Sequence, residues 1–193
     1  EREGPEFLDA IAADQRFFLR VYLTGNAKEL RSRVDVALIA LFARLEEKAI
    51  AADTLVVFTS ERAAETSRPP LSDEALRVPL VFWLPGRVPE NEVRQQLVAH
   101  PDVPVTLLEL LDAEAPELGE ADGASFARLL TKRRQNWRDH VVFEAAEDGE
   151  WKPSGRAFRT KIWKYVRRPN GTENFYSLRQ DPREQDDRIE RPE

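Results

Sequence analysis

The chain has no cysteine, no methionine and only two histidines among its 193 residues. Without cysteine, a disulfide framework, thiolate catalysis and cysteine-ligated zinc or iron–sulfur sites are excluded together. His100 and His140 are too few for a multi-histidine metal cluster. His100, before Pro101-Asp102, reads as the start of a helix, and His140 as the start of a strand. The lack of any methionine, an initiator included, points to a fragment, a processed product or an engineered chain. No apolar run approaches the roughly 20 residues of a membrane-spanning helix, and Val78 to Leu84 is interrupted by Pro79. Glu1, Glu3, Glu6 and Asp9 stand where a secretory signal has a basic start and an apolar core. A G-x-S-x-G nucleophile elbow and a glycine-rich phosphate loop are also missing.

What is there suits a soluble globular domain, alone or with a small appendage: 41% hydrophobic and 33% charged residues. The net charge of −6 opposes nucleic-acid binding, which depends on clustered Lys and Arg at phosphates. Phe7 to Ala13 reads as a short helix and the aromatic, β-branched Phe17 to Leu23 as a strand. Asn26 and Glu29 form a capping-box pattern ahead of a helix over Ala27 to Ala49. Its buried stripe would be Leu30, Val34, Leu38, Leu41, Phe42 and Leu45.

Thr54 to Thr59 and Leu76 to Leu84 are continuous apolar runs of the kind found in strands covered on both faces, with Pro79 marking an edge or an irregular start. Val93 to Val98 reads as a short strand, Val105 to Leu111 and Ser125 to Thr131 as helices, and Val141 to Phe143 as a fourth buried strand. Alternating strands and helices predict an α/β layered domain with a mostly parallel sheet flanked by helices, over residues 1–146. From 147 to 193 the pattern predicts a small antiparallel subdomain, with strands at Ala157 to Thr160, Ile162 to Val166 and Phe175 to Leu178. Asn170-Gly171 supplies a tight turn, which also explains why Asn170-Gly171-Thr172 matches a glycosylation sequon. The charged tail from Arg179 is expected to lie over the surface.

Ligand sites in open α/β sheets form beyond strand carboxyl ends, which directs attention to Ser60-Glu61-Arg62. Glu61 could ligate Ca²⁺ or Mg²⁺, but one carboxylate is not a site and the adjacent guanidinium repels the cation; an exposed ion pair is the plainer reading. Arg62 and Arg68 could bind a sulfate or phosphate or simply be solvated. Trp83, Trp137, Trp151 and Trp163 are scattered, as core-packing residues are. The residues alone show no complete active site.

Several ordered segments resemble the C-terminal half of the sulfatase family, in the alkaline-phosphatase-like superfamily. They are FFLRVYL, RVDVALIALFARLEEKAIAADTLVVFTSE, LRVPLVFWLPG, HPDVPVTLLELL, DGASFARLL, FRTKIWKYV and FYSLRQDPREQDD. The resemblance implies a fold in which the nucleophile, a C/S-x-P-x-R motif, and two metal-binding aspartates belong to an N-terminal half that is absent here. Ser67 to Leu71 only imitates that motif, ending in leucine. Where the family has Asp followed by His or Asn as metal ligands, this chain has Glu61 and Arg62. The family's sulfate-contacting lysine falls on Arg68, and the loop carrying a substrate-binding histidine is deleted at Gly25-Asn26.

These departures imply a sulfatase-like domain, non-catalytic on its own, that acts in assembly or binding and needs no cofactor. The alternative is one chain of a split or processed sulfatase or phosphodiesterase, using Ca²⁺ or Mg²⁺ with a partner chain. Either way, half a sheet leaves unpaired edges and uncovered apolar faces, so a second polypeptide or self-association is expected.

Overall fold

The computed structural model describes residues 4–12, 15–25, 27–61, 63, 69–113, 122–131, 136–146 and 153–191. Its contacts divide the chain into two units, Glu1–Ser60 with Pro79–Glu90, and Glu61–Val78 with Asn91–Glu193.

In the first unit, α1 (Gly4–Asp9) packs against α2 (Ala27–Glu47). Leu8 and Leu45 are fully buried, and Arg44 bonds to both Asp9 and Glu47. The expected helix over Ala27 to Ala49 is therefore present, two residues shorter, while α1 starts earlier than its apolar residues suggested. Asn26 lies outside the described residues. A Schellman motif closes α2: Ala49 N donates to Glu46 O at 2.9 Å, Ile50 N donates to Leu45 O at 3.0 Å, and Ala49 takes φ 56°. After a 3₁₀ turn at Ala51–Asp53 come β1 (Val56–Thr59) and, later in the chain, β2 (Leu80–Trp83). Phe42 of α2 meets Trp83 of β2 edge to face, with centroids 4.8 Å apart.

Two sequence expectations fail in this unit. The strands β1 and β2 are antiparallel, with Val56 opposite Trp83 and Thr59 opposite Leu80, so no parallel layered sheet is present among the described residues. A continuous apolar run carries no information about the direction of the neighbouring strand. Phe17 to Leu23 belongs to no strand, with Phe18 77% and Tyr22 57% exposed. β propensity alone cannot make a strand that has no ladder partner. Leu76 also leaves the expected strand, which starts only after Pro79.

The second unit contains α3 (Asp73–Leu76), α4 (Asp102–Leu110), α5 (Ala127–Thr131) and a four-stranded antiparallel sheet ordered β3 (His140–Ala146), β4 (Pro153–Thr160), β5 (Trp163–Arg167), β6 (Glu173–Ser177). Val141 to Phe143 thus joins this sheet by pairing with β4, rather than a parallel one. The hairpin turn between β5 and β6 is as expected: Gly171 has φ 84°, and Asn170 Oδ1 accepts from Thr172 N at 3.0 Å. Ala157 and Val166 point inward onto Leu71. Val93 to Val98 forms no strand; Arg94 instead reaches the carbonyls of Leu129 at 2.7 Å and Leu130 at 3.4 Å. Among the described residues, no helix is long and apolar enough to cross a membrane.

Candidate functional site

Thr59 ends β1 with its hydroxyl donating to Pro79 O at 2.9 Å, and the chain then reaches the exposed Glu61. Arg62 and Arg68 lie outside the described residues. A hard divalent cation takes six or more oxygen ligands. Glu61 followed by a guanidinium does not make such a set, and no group of three or more His, Asp or Glu that could hold a metal gathers among the described residues. Within the described residues, then, the donors do not amount to a divalent-cation site. His140 stacks on Phe158 with centroids 4.6 Å apart and bonds Asp139 at 2.6 Å, while His100 is exposed. Trp83 packs on Phe42, Trp163 stacks on Phe175, and Trp137 donates to Leu97 O at 2.6 Å. Trp151 lies outside the described residues.

Sequence reasoning missed the most highly organised charges in the molecule. Ser72 caps α3, its Oγ accepting from Ala75 N at 3.3 Å, which sets Asp73 at the first turn. The Asp73 carboxylate takes two bonds from Arg159 of β4, at 2.7 and 2.8 Å. Lys164 of β5, fully buried, donates to Glu184 at 2.6 Å and lies 3.8 Å from Asp73. Glu184 closes the circuit by accepting from Asp73 N at 3.1 and 3.2 Å. It stands in the tail that was expected merely to lie over the surface, at φ 56°. Burial would raise the Asp73 pKa, but the Arg159 hydrogen bonds and charge outweigh it and hold the carboxyl below its ordinary value. Burial lowers Lys164 despite the opposing bond to Glu184. Each charge is paired and enclosed, so the group holds α3, the sheet and the tail together and offers no open valence to a substrate.

A second enclosed carboxylate organises α4. Asp102 is fully buried and accepts from Ala99 N at 2.7 Å, Ala124 N at 2.9 Å and Arg138 at 2.6 Å. One turn on, Thr106 Oγ1 donates to Asp102 O at 2.7 Å and accepts from Phe126 N at 3.0 Å. Gly123 passes so close that a Cβ there would sit 1.9 Å from Pro101 O. A signal for both networks was present in the sequence: Asp102, Thr106, Gly123, Arg159, Lys164 and Glu184 all fall within quoted motifs.

The family model for N-sulphoglucosamine sulphohydrolase, C-terminal, matches residues 69–193, and the sulfatase model matches residues 23–113. No curated protein matches. Among solved structures, a 2-O GAG sulfatase is 23% identical with a TM-score of 0.72, over 86% of this chain and 38% of that one. The phosphonate monoester hydrolase of Agrobacterium radiobacter is 21% identical at 0.71, over 84% and 36%. A protein solved with its substrate D-glucosamine-2-N,6-O-disulfate is 20% identical at 0.70, over 84% and 35%. The chain is therefore similar in fold to a segment of these proteins, and spans less than two fifths of their length.

Proposed function

We infer, because this chain belongs to the N-sulphoglucosamine sulphohydrolase C-terminal family, that it serves as the C-terminal part of a sulfatase fold, non-catalytic by itself and completed by further polypeptide. The observation that carries this reading is the uncovered apolar surface of the first unit. Val36 and Ile39 of α2 are 68% and 69% exposed, Val81 of β2 53%, and only Leu45 of the expected α2 stripe is buried. The relatives' greater length is the chemistry that would cover it: the remainder of a sulfatase-like fold, on the same chain or a second one. A catalytic role for the segment alone would need a metal donor set, which Glu61 and Arg62 do not supply.

The test is native mass spectrometry of the protein purified from its natural source. The expected result is a complex, or a longer chain, whose mass includes the rest of a sulfatase-like fold. A stable monomer of this length overturns the reading.

The sulfatase match over residues 23–113, which includes Glu61 and Arg62, favours a second reading. In it the assembled protein hydrolyses sulfate or phosphate esters, with Ca²⁺ or Mg²⁺ held largely by the other part, Glu61 near the cation and Arg68 at the transferred anion. Glu61→Asp with Arg62→His should then raise both divalent-cation affinity and turnover of a sulfate ester by the assembly. No change in either quantity removes this second reading.

A further inference from the structure

The dipeptide Asn170-Gly171 shapes the turn between β5 and β6, and the same two residues can react with each other. Of the five asparagines in the chain, only Asn170 precedes a glycine. Gly171 has no side chain to shield its backbone nitrogen from a neighbouring group. Asn170, Gly171 and Thr172 are all exposed, and a Cβ built on Gly171 would meet nothing within 4 Å. This end of the hairpin is therefore open to water.

The turn also orients the carboxamide. Gly171 N donates to Arg168 O at 3.0 Å and Arg168 N donates to Thr172 O at 2.9 Å, closing a tight loop around Pro169 and Asn170. Asn170 Oδ1 accepts from Thr172 N at 3.0 Å, so the carboxamide is folded forward along the backbone that carries the Gly171 nitrogen. The same N–H polarises the side-chain carbonyl and stabilises the oxyanion that forms when a nucleophile adds to it. Other described asparagines differ. Asn174 has its amide fixed from both sides, Oδ1 by Arg168 and Nδ2 by Asp187, and precedes Phe175. Asn91 precedes Glu92.

We propose that Asn170 is a site of spontaneous deamidation through a cyclic imide closed by Gly171. Gly171 N leaves Arg168 O, a bond at an exposed hairpin end where local opening costs least, and attacks Cγ of Asn170. The N–Cγ bond forms, the Cγ–Nδ2 bond breaks, and Nδ2 departs with the Gly171 proton as ammonia. Water then opens the imide, at one carbonyl to give aspartate and at the other to give isoaspartate. Both products place a new negative charge in the turn. Aspartate keeps the bond from Thr172 N, whereas isoaspartate adds an atom to the backbone inside the loop and disrupts its closing hydrogen bonds. Arg168 holds Asn174, and Asn174 holds Asp187 of the tail at 2.6 Å. The isoaspartate form therefore loosens a chain of contacts that reaches the tail.

The experiment incubates the protein from its natural source, with whatever polypeptide accompanies it, in warm neutral buffer and follows its proteolytic fragments by tandem mass spectrometry. Asn170 should gain about 1 Da, at least about tenfold faster than Asn174 or Asn91, with isoaspartate formed alongside aspartate. Asn170→Gln, whose longer side chain has to close a larger ring, should abolish the gain at this position and leave the circular dichroism unchanged. Hydrogen exchange at Arg168 N should quicken in the isoaspartate fraction. The proposal is overturned if Asn170 reacts no faster than Asn174, or if the Asn170→Gln protein gains mass at this position at the same rate. A glycan on Asn170, the other chemistry its sequon allows, also overturns it by occupying the leaving nitrogen.

Discussion

The two units of this chain handle their interiors in opposite ways. The second is closed around charge: Asp73, Arg159, Lys164 and Glu184 in one network, Asp102 and Arg138 in another, with donors and acceptors drawn from several segments. The first has a long helix and two short strands, with one stripe residue of α2 buried and large apolar side chains facing outward. A four-stranded sheet of hairpins can complete its ladders from neighbouring sequence, whereas a two-stranded sheet is marginal by itself. The difference teaches that one region buries its charges against partners from within the chain, while the other leaves large apolar side chains exposed.

The sharpest way to break this contrast is Glu184→Ala. It leaves Lys164 enclosed with only Asp73 at 3.8 Å, and removing one member of a buried pair costs about 3–5 kcal/mol. Urea unfolding should show that loss in the second unit. Asp102→Ala should rank next, at about 3 kcal/mol, because three donors lose their common acceptor; a loss below about 1 kcal/mol would mean that the surrounding segments are held by something else.

Acid should act on the second unit in the same sense. Asp73 and Asp187 both have lowered pKa values: burial works against each, but Arg159 stabilises the first carboxylate, and Phe175 N with Asn174 the second. A group whose folded pKa lies below its unfolded value contributes stability above the unfolded pKa, about 4, and loses it as pH falls through the folded one. The unfolding midpoint should therefore drop below about pH 4, and Asp73→Asn should flatten that slope; an unchanged slope would assign it to other carboxylates.

In the first unit, Val36→Glu with Ile39→Glu should change intrinsic stability by no more than about 0.5 kcal/mol, since both side chains are exposed, yet abolish association in size-exclusion chromatography. Association unchanged by the pair would locate the interface elsewhere. Ala49→Gly should bring a modest gain of roughly 0.5–1 kcal/mol, because the left-handed φ of 56° strains alanine. A loss on thermal unfolding would show that the methyl group packs usefully.

Much of this was legible beforehand. The 3.6-residue spacing from Leu30 to Leu45 locates α2, Asn170-Gly171 locates the β5–β6 turn, and the ordered motifs point to the family that the comparisons bear out. Glu61 was singled out and is exposed, while the companion residues Arg62 and Arg68 lie outside the described residues. Strand direction was not legible, because Val56 to Thr59 would be equally apolar beside a parallel or an antiparallel neighbour. Nor was the strand at Phe17 to Leu23 settled by its propensity, which needs a ladder to act on.

The sequence by itself determined the place of α2, the hairpin turn and the family, because periodicity and turn chemistry are local and motifs are ordered along the chain. Only the tertiary structure decided which charges meet. Asp73 lies 86 residues from Arg159 and 111 from Glu184, and no local rule distinguishes a carboxylate that will be buried against a distant lysine from one that will face water.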